Sequence, residues 1–131
     1  EKVPALSVDA SLEGDPWAGV LDAMPLDGAP KLRETVFVHA PSKTLVATDL
    51  AFNLRAPKPW LTRTIMRLNG GWDRFGPTRI FRSLVTDRAA LRRSVDRILE
   101  RDFDRIVVAH GDVVEARGKE LFRAAFAPLI A

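Results

Sequence analysis

The sequence predicts a mixed α/β chain: a β-hairpin, several helices, one further strand and a closing helix. Three observations predict it. Two β-branched runs, Thr35-Val36-Phe37-Val38-His39-Ala40 and Thr44-Leu45-Val46-Ala47-Thr48-Asp49-Leu50, are separated only by Pro41-Ser42-Lys43. A third such run, Arg105-Ile106-Val107-Val108-Ala109, comes much later. Between and after them, apolar residues recur at helical spacing.

Each element follows from local chemistry. Residues 1–18 read as irregular, with Pro4, Gly14 and Pro16 as breakers. Trp17 to Met24 reads as a short strand or a helical turn, and Asp27-Gly28-Ala29-Pro30 as a turn. The two early β-branched runs form a hairpin with a three-residue connection. Neither run has a clean polar face, so both faces are expected to be covered. Residues 51–59 read as a loop containing Pro57 and Pro59. Trp60, Leu61, Ile65 and Leu68 place a helix over 60–68, ended by Asn69-Gly70-Gly71. Asp73 to Pro77 reads as loop, and Thr78 to Leu84 as a short helix. The clearest helix covers 88–101, with Thr86 or Asp87 as its cap and Leu91, Val95, Ile98 and Leu99 as its apolar stripe. The strand at 105–109 follows. Gly118 to Ile130 closes the chain as an amphipathic helix.

Composition sets outer limits. The 131 residues fit a single domain, 1–131, with 47% hydrophobic and 28% charged residues. Cysteine is absent, which excludes disulfides, cysteine nucleophiles and thiolate metal sites and suits a cytoplasmic protein. No apolar run reaches the roughly 18 residues of a membrane span, so no membrane partner is expected. Charge is uneven. Residues 1–34 hold seven acids and three bases, net −4, whereas 55–105 hold thirteen bases and six acids, net +7. The basic segment suggests solvated helix faces first, and attraction of an anionic substrate or nucleic acid second.

Two strands lead into ligand-type side chains, Asp49 and His110. A buried strand carries no charge or imidazole without a partner, so such groups belong where the chain leaves the core. Asp49 is read either as a cap on the following turn or as a metal ligand. His110 is read either as a hydrogen-bonded structural residue or as a ligand or acid/base. Gly111 permits a sharp exit, and Asp112 is read either as an acceptor that orients the His110 ring or as a cap on whatever follows. His39 shares a strand face with Phe37, which favours packing or a place at the hairpin mouth over metal ligation. Ser42 lies in the turn, is read as having no histidine near it in sequence, and is therefore a poor candidate nucleophile. Trp60, Trp72 and Phe75, set among Arg63, Arg67, Arg74 and Arg79, are expected to pack a lid or helix onto the sheet. Gly70-Gly71 is too short for a phosphate loop.

The order of these residues resembles a known family. Thr35 to Phe52 is similar to the central hairpin of the metallo-β-lactamase fold, and Phe103 to Asp112 to the late strand that delivers its final histidine. The Pro41-Ser42-Lys43-Thr44-Leu45 hairpin, Pro59-Trp60-Leu61 and Val108-Ala109-His110-Gly111-Asp112-Val113-Val114 resemble most closely a bacterial family of unknown function within that superfamily. The resemblance runs from about Leu12 to Ala125 and covers only the C-terminal half of the fold. It implies half of an αββα sandwich, a mixed sheet covered by helices. It also implies Asp49 and His110 as ligands of a divalent metal, zinc first, with iron or manganese as alternatives. The implied function is a hydrolase in which metal-activated water attacks an ester, thioester, amide or phosphodiester of a small-molecule substrate.

The chain departs from the family pattern in two ways. The histidine-rich loop of His-x-His-x-Asp-His spacing has no counterpart, and Gly28-Ala29-Pro30 stands where a pre-hairpin histidine is expected. Two ligands do not close a zinc site. The chain is therefore expected to be a fragment that pairs with a missing N-terminal half or with another copy of itself. The alternatives are a degenerate, metal-free, non-catalytic binding protein and, less favoured, nucleic-acid binding through 55–105.

Overall fold

The computed structural model describes residues 17–55 and 59–131. The irregular reading of residues 1–16 falls outside them.

A turn at 17–20 leads into β1 (Leu21–Pro25). β2 (Thr35–His39) and β3 (Thr44–Ala47) form the expected hairpin, in the register Phe37↔Val46 and Val38↔Leu45. β3 ends sooner than its β-branched composition suggests. The Glu34 carboxylate accepts hydrogen bonds from the backbone N–H groups of Thr48 (2.7 Å) and Asp49 (3.2 Å), which removes them from strand pairing.

The stretch after β3 is not all loop. β4 (Phe52–Asn53) pairs antiparallel with β5 (Phe75–Gly76) in a separate two-stranded sheet. Between them lies α1 (Trp60–Leu68). α2 (Arg79–Leu84) starts at Thr78, whose hydroxyl accepts from the Phe81 N–H. α3 (Arg88–Glu100) starts at Asp87, whose carboxylate accepts from the Ala90 N–H at 2.9 Å. β6 (Arg105–Val108) pairs parallel with β3, and α4 (Gly118–Ile130) follows. The architecture is mixed α+β, with the main sheet in the order β1-β2-β3-β6. Among the described residues no helix is long and apolar enough to cross a membrane.

The sheet is buried on one face. Met24, Val36, Ala47 and Val108 form one buried row across all four strands, and Val38, Leu45 and Ile106 form the next. α3 and α4 supply the other side of this core through Leu91, Val95, Ile98, Phe122 and Phe126. Four phenylalanines knit it. Phe122 stacks on Phe126 at 4.5 Å and meets Phe103 edge-on at 6.0 Å, while Phe126 meets Phe81 edge-on at 6.2 Å.

The expectation that both sheet faces are covered does not hold among the described residues. On the other face the register aligns Ala23, Phe37, Val46 and Val107 in one row, all half-buried and all outside the core. The core helices are occupied with the opposite rows.

Replacing Phe122 by Ala removes the ring shared by two aromatic contacts. The expected cost is about 3–5 kcal/mol, read as a fall in the urea midpoint with little change in slope.

Candidate functional site

The parallel pairing of β3 with β6 puts the exits of both strands at the same end of the sheet. Asp49 lies two residues beyond β3 and His110 two beyond β6. Their side chains meet, with Asp49 Oδ1 at 3.2 Å from His110 Nε2 and each side chain about half-exposed (53% and 51%). This contact is a hydrogen bond with a neutral ring and an ion pair with a protonated one.

Two sets of hydrogen bonds hold the pair. The first centres on Glu34, which is buried at 5% exposure. Besides the two backbone N–H groups, its carboxylate takes the Thr48 hydroxyl at 2.5 Å. Three donors make burial of that carboxylate tolerable and fix the path of the chain at Asp49. The second set comes from β4. Asn53 N–H donates to the His110 carbonyl at 3.1 Å, and Asp112 N–H donates to the Asn53 carbonyl at 2.9 Å. The Asn53 side chain donates to the Asp112 carbonyl at 2.7 Å and accepts from Arg55 Nε at 3.1 Å. Phe52 stacks on the His110 ring at 4.7 Å and 16°. Gly111 makes this approach feasible. Its φ is +132°, and a Cβ there would lie 2.3 Å from the Asn53 carbonyl oxygen.

Asp112 is placed differently from its expected role. The carboxylate on the His110 ring is Asp49, while Asp112 bonds through its backbone to Asn53. Two hydrogen bonds to Asn53, beside the Asn53–Gly111 bridge, hold the Asp112 backbone. His39 is placed apart from the pair. It faces Thr44 at the hairpin end of β3, so five residues of chain, about 16 Å at strand rise, separate that end from Asp49.

At the hairpin end, His39 Nδ1 lies 2.7 Å from the Ser42 hydroxyl. The two residues are only three apart in sequence, and that proximity is the signal a reading of Ser42 alone misses. Ser42 Oγ donates to Thr44 Oγ1 at 2.9 Å, and Thr44 Oγ1 donates to the Ser42 carbonyl at 3.0 Å. Both hydroxyl protons are thereby used, so the ring supplies the N–H to Ser42 and serves to lock the turn. Beside it, Lys43 forms a 2.7 Å pair with Asp102, whose carboxylate raises the lysine pKa and is itself lowered by the ammonium.

Sequence reasoning overlooked Glu34, Phe52 and Asn53. The expected packing of Trp60 also fails, because Trp60 is 71% exposed. Phe75 is buried in the core and Trp72 is half-buried beside β4, through its bridge to Leu54.

A zinc ion that binds nitrogen and oxygen at about 2.0–2.2 Å in tetrahedral geometry holds its donor atoms about 3.4 Å apart. The 3.2 Å between Asp49 Oδ1 and His110 Nε2 is close to that spacing, and the chemistry of both donors suits the ion. Among the described residues no third histidine, cysteine or carboxylate joins them in a metal-binding group. Compared with known proteins, the chain matches no family model and no curated protein.

Glu34→Ala strands two backbone donors and should lower stability by about 2–3 kcal/mol, measured by urea denaturation. Gly111→Ala should break the β4 clamp, seen as faster hydrogen exchange at the Asn53 and Asp112 amides and loss of ring-current shifts on His110.

Proposed function

We propose that this chain contributes half of a divalent-metal centre to a hydrolase of the metallo-β-lactamase type. The observation that carries this reading is the convergence of Asp49 and His110, from two separate strand exits, at a zinc-like donor spacing. Asp49 would supply an anionic oxygen, and His110 a neutral ring nitrogen oriented by Phe52 and by the bonds to Asn53. Zinc is the first choice of ion, with iron or manganese as alternatives. Bound there, the ion would supply Lewis acidity and an acidified water for attack on an ester, thioester, amide or phosphodiester. Glu34 keeps Asp49 in position without entering the centre.

The remaining ligands would come from a second layer seated on the open sheet face, either another segment of the protein or a second copy. The uncharged row Ala23, Phe37, Val46 and Val107 supports this, since such a face gains stability when covered. A cytoplasmic setting fits the absence of cysteine. A second reading, a non-catalytic binding protein of the same fold, is favoured by the lack of a third ligand among the described residues.

Metal analysis of the complete gene product separates the two. The first reading expects stoichiometric metal that falls at least about tenfold in affinity on Asp49→Ala and on His110→Ala, and that weakens as acid protonates the ligands. A metal-free protein, indifferent to both substitutions, selects the second reading. Phe37→Asp should abolish association of the covering layer or copy in sedimentation velocity while preserving the circular dichroism of the chain.

A further inference from the structure

Helix α1 turns its apolar side outward. At about 100° per residue, Trp60, Leu61, Ile65 and Leu68 share a sector about 140° wide, and Met66 lies about 170° from its centre. Met66 is the residue of α1 that is half-buried, so the helix rests on that side. The apolar sector faces water, with Trp60 71%, Leu61 54%, Ile65 53% and Leu68 67% exposed. Ile80, also exposed, is tied to the end of this helix, because Asn69 accepts the N–H groups of Arg79 and Ile80.

The same stretch holds the excess positive charge. Residues 59–85 carry Arg63, Arg67, Arg74, Arg79 and Arg82 against Asp73 alone, net +4. Residues 17–54 carry three bases against four acids and 86–131 nine against eight, so both nearly balance. Among the described residues none of those five arginines is in an ion pair.

We propose that α1 docks this protein on the surface of an anionic lipid bilayer. Trp60, Leu61, Ile65 and Leu68 enter the boundary between headgroups and acyl chains, and the arginines meet lipid phosphates. Helices that lie in a membrane interface combine these two features, an apolar sector and a cationic border. The expectation of no membrane partner rested on the lack of a spanning segment, and a nine-residue helix lies on a bilayer without crossing it. The other occupants fit less well. Two copies joined by a twofold axis through this face would oppose Arg63 and Arg67 with no acid between them. Single-stranded nucleic acid would use the arginines and Trp60 but leave Leu61, Ile65 and Leu68 in water.

Vesicle flotation tests the proposal. The chain should bind vesicles of phosphatidylcholine containing roughly one third phosphatidylglycerol at least about tenfold better than phosphatidylcholine alone, and lose that binding as salt rises. Leu61→Ser/Ile65→Ser keeps the charge and should weaken binding about tenfold, as should Arg63→Glu/Arg67→Glu, with circular dichroism unchanged in both. Absence of binding to the anionic vesicles overturns the proposal. Full binding by Leu61→Ser/Ile65→Ser also overturns it, leaving net charge alone as the cause. A dimer in lipid-free solution that this variant dissolves assigns the face to a second copy. Tighter binding of single-stranded RNA than of vesicles assigns it to nucleic acid.

Discussion

The parallel pairing of β3 with β6 is the contact on which the rest of this molecule depends. It joins Leu45 to Ile106 and Ala47 to Val108, buried residues far apart in sequence. Parallel neighbours require a long crossover. Here the crossover, residues 48–104, contains β4, β5 and helices α1 to α3, so a large part of the chain is a consequence of that pairing. It also sets the site. Two strands running the same way deliver their exits to the same end, and Asp49 and His110 meet there. With antiparallel neighbours, the two side chains would stand at opposite ends of the sheet, as His39 and Asp49 do.

Strand pairing alone brings the two exits near each other without orienting their side chains. Glu34 and Asn53 supply the precision. Each is a buried polar residue whose bonds go mainly to the backbone of an exit segment, Glu34 to Thr48 and Asp49, Asn53 to His110 and Asp112. The cost of burying them is met by complete satisfaction: no buried side-chain nitrogen or oxygen among the described residues lacks a partner. The Asp49 and His110 side chains themselves remain half-exposed. Buried supports beneath accessible donors are what a binding site requires, since the scaffold resists distortion while the donors stay open to a ligand.

Much of the architecture was legible because it rests on local signals. The helices over 60–68 and 118–130 carry their periodicity within themselves, and Asp87 and Thr78 cap α3 and α2 through bonds to residues three positions on. The illegible parts are non-local. β4 and β5 are two residues each, too short for any period, and exist through pairing across α1. Glu34 looks like one more surface acid until the fold sets it beneath Thr48. Asp49 and His110 were legible as strand-exit residues, but their 3.2 Å contact depends on a pairing that the spacing of either segment alone does not specify. Trp60 was misread for a physical reason. Helical spacing of apolar residues reveals a one-sided helix, but the side that meets the protein is decided by what lies beneath it, and α1 rests on Met66.

Among the described residues two apolar surfaces lack a covering layer, one half-buried and one exposed, and their electrostatics divide them. The sheet row of Ala23, Phe37, Val46 and Val107 is flat and uncharged, spaced by strand register, and suited to a second layer of similar geometry. The α1 sector is convex and lies in the segment whose arginines have no acidic partners among the described residues. A protein layer over it would have to bring its own carboxylates to neutralise Arg63 and Arg67, whereas an anionic bilayer presents such charge at every lateral position. The two surfaces therefore call for different neighbours, and both can be occupied at once. Covering the sheet face would complete the surroundings of Asp49 and His110. Seating α1 on a membrane would determine where in the cell that completed site meets its substrate.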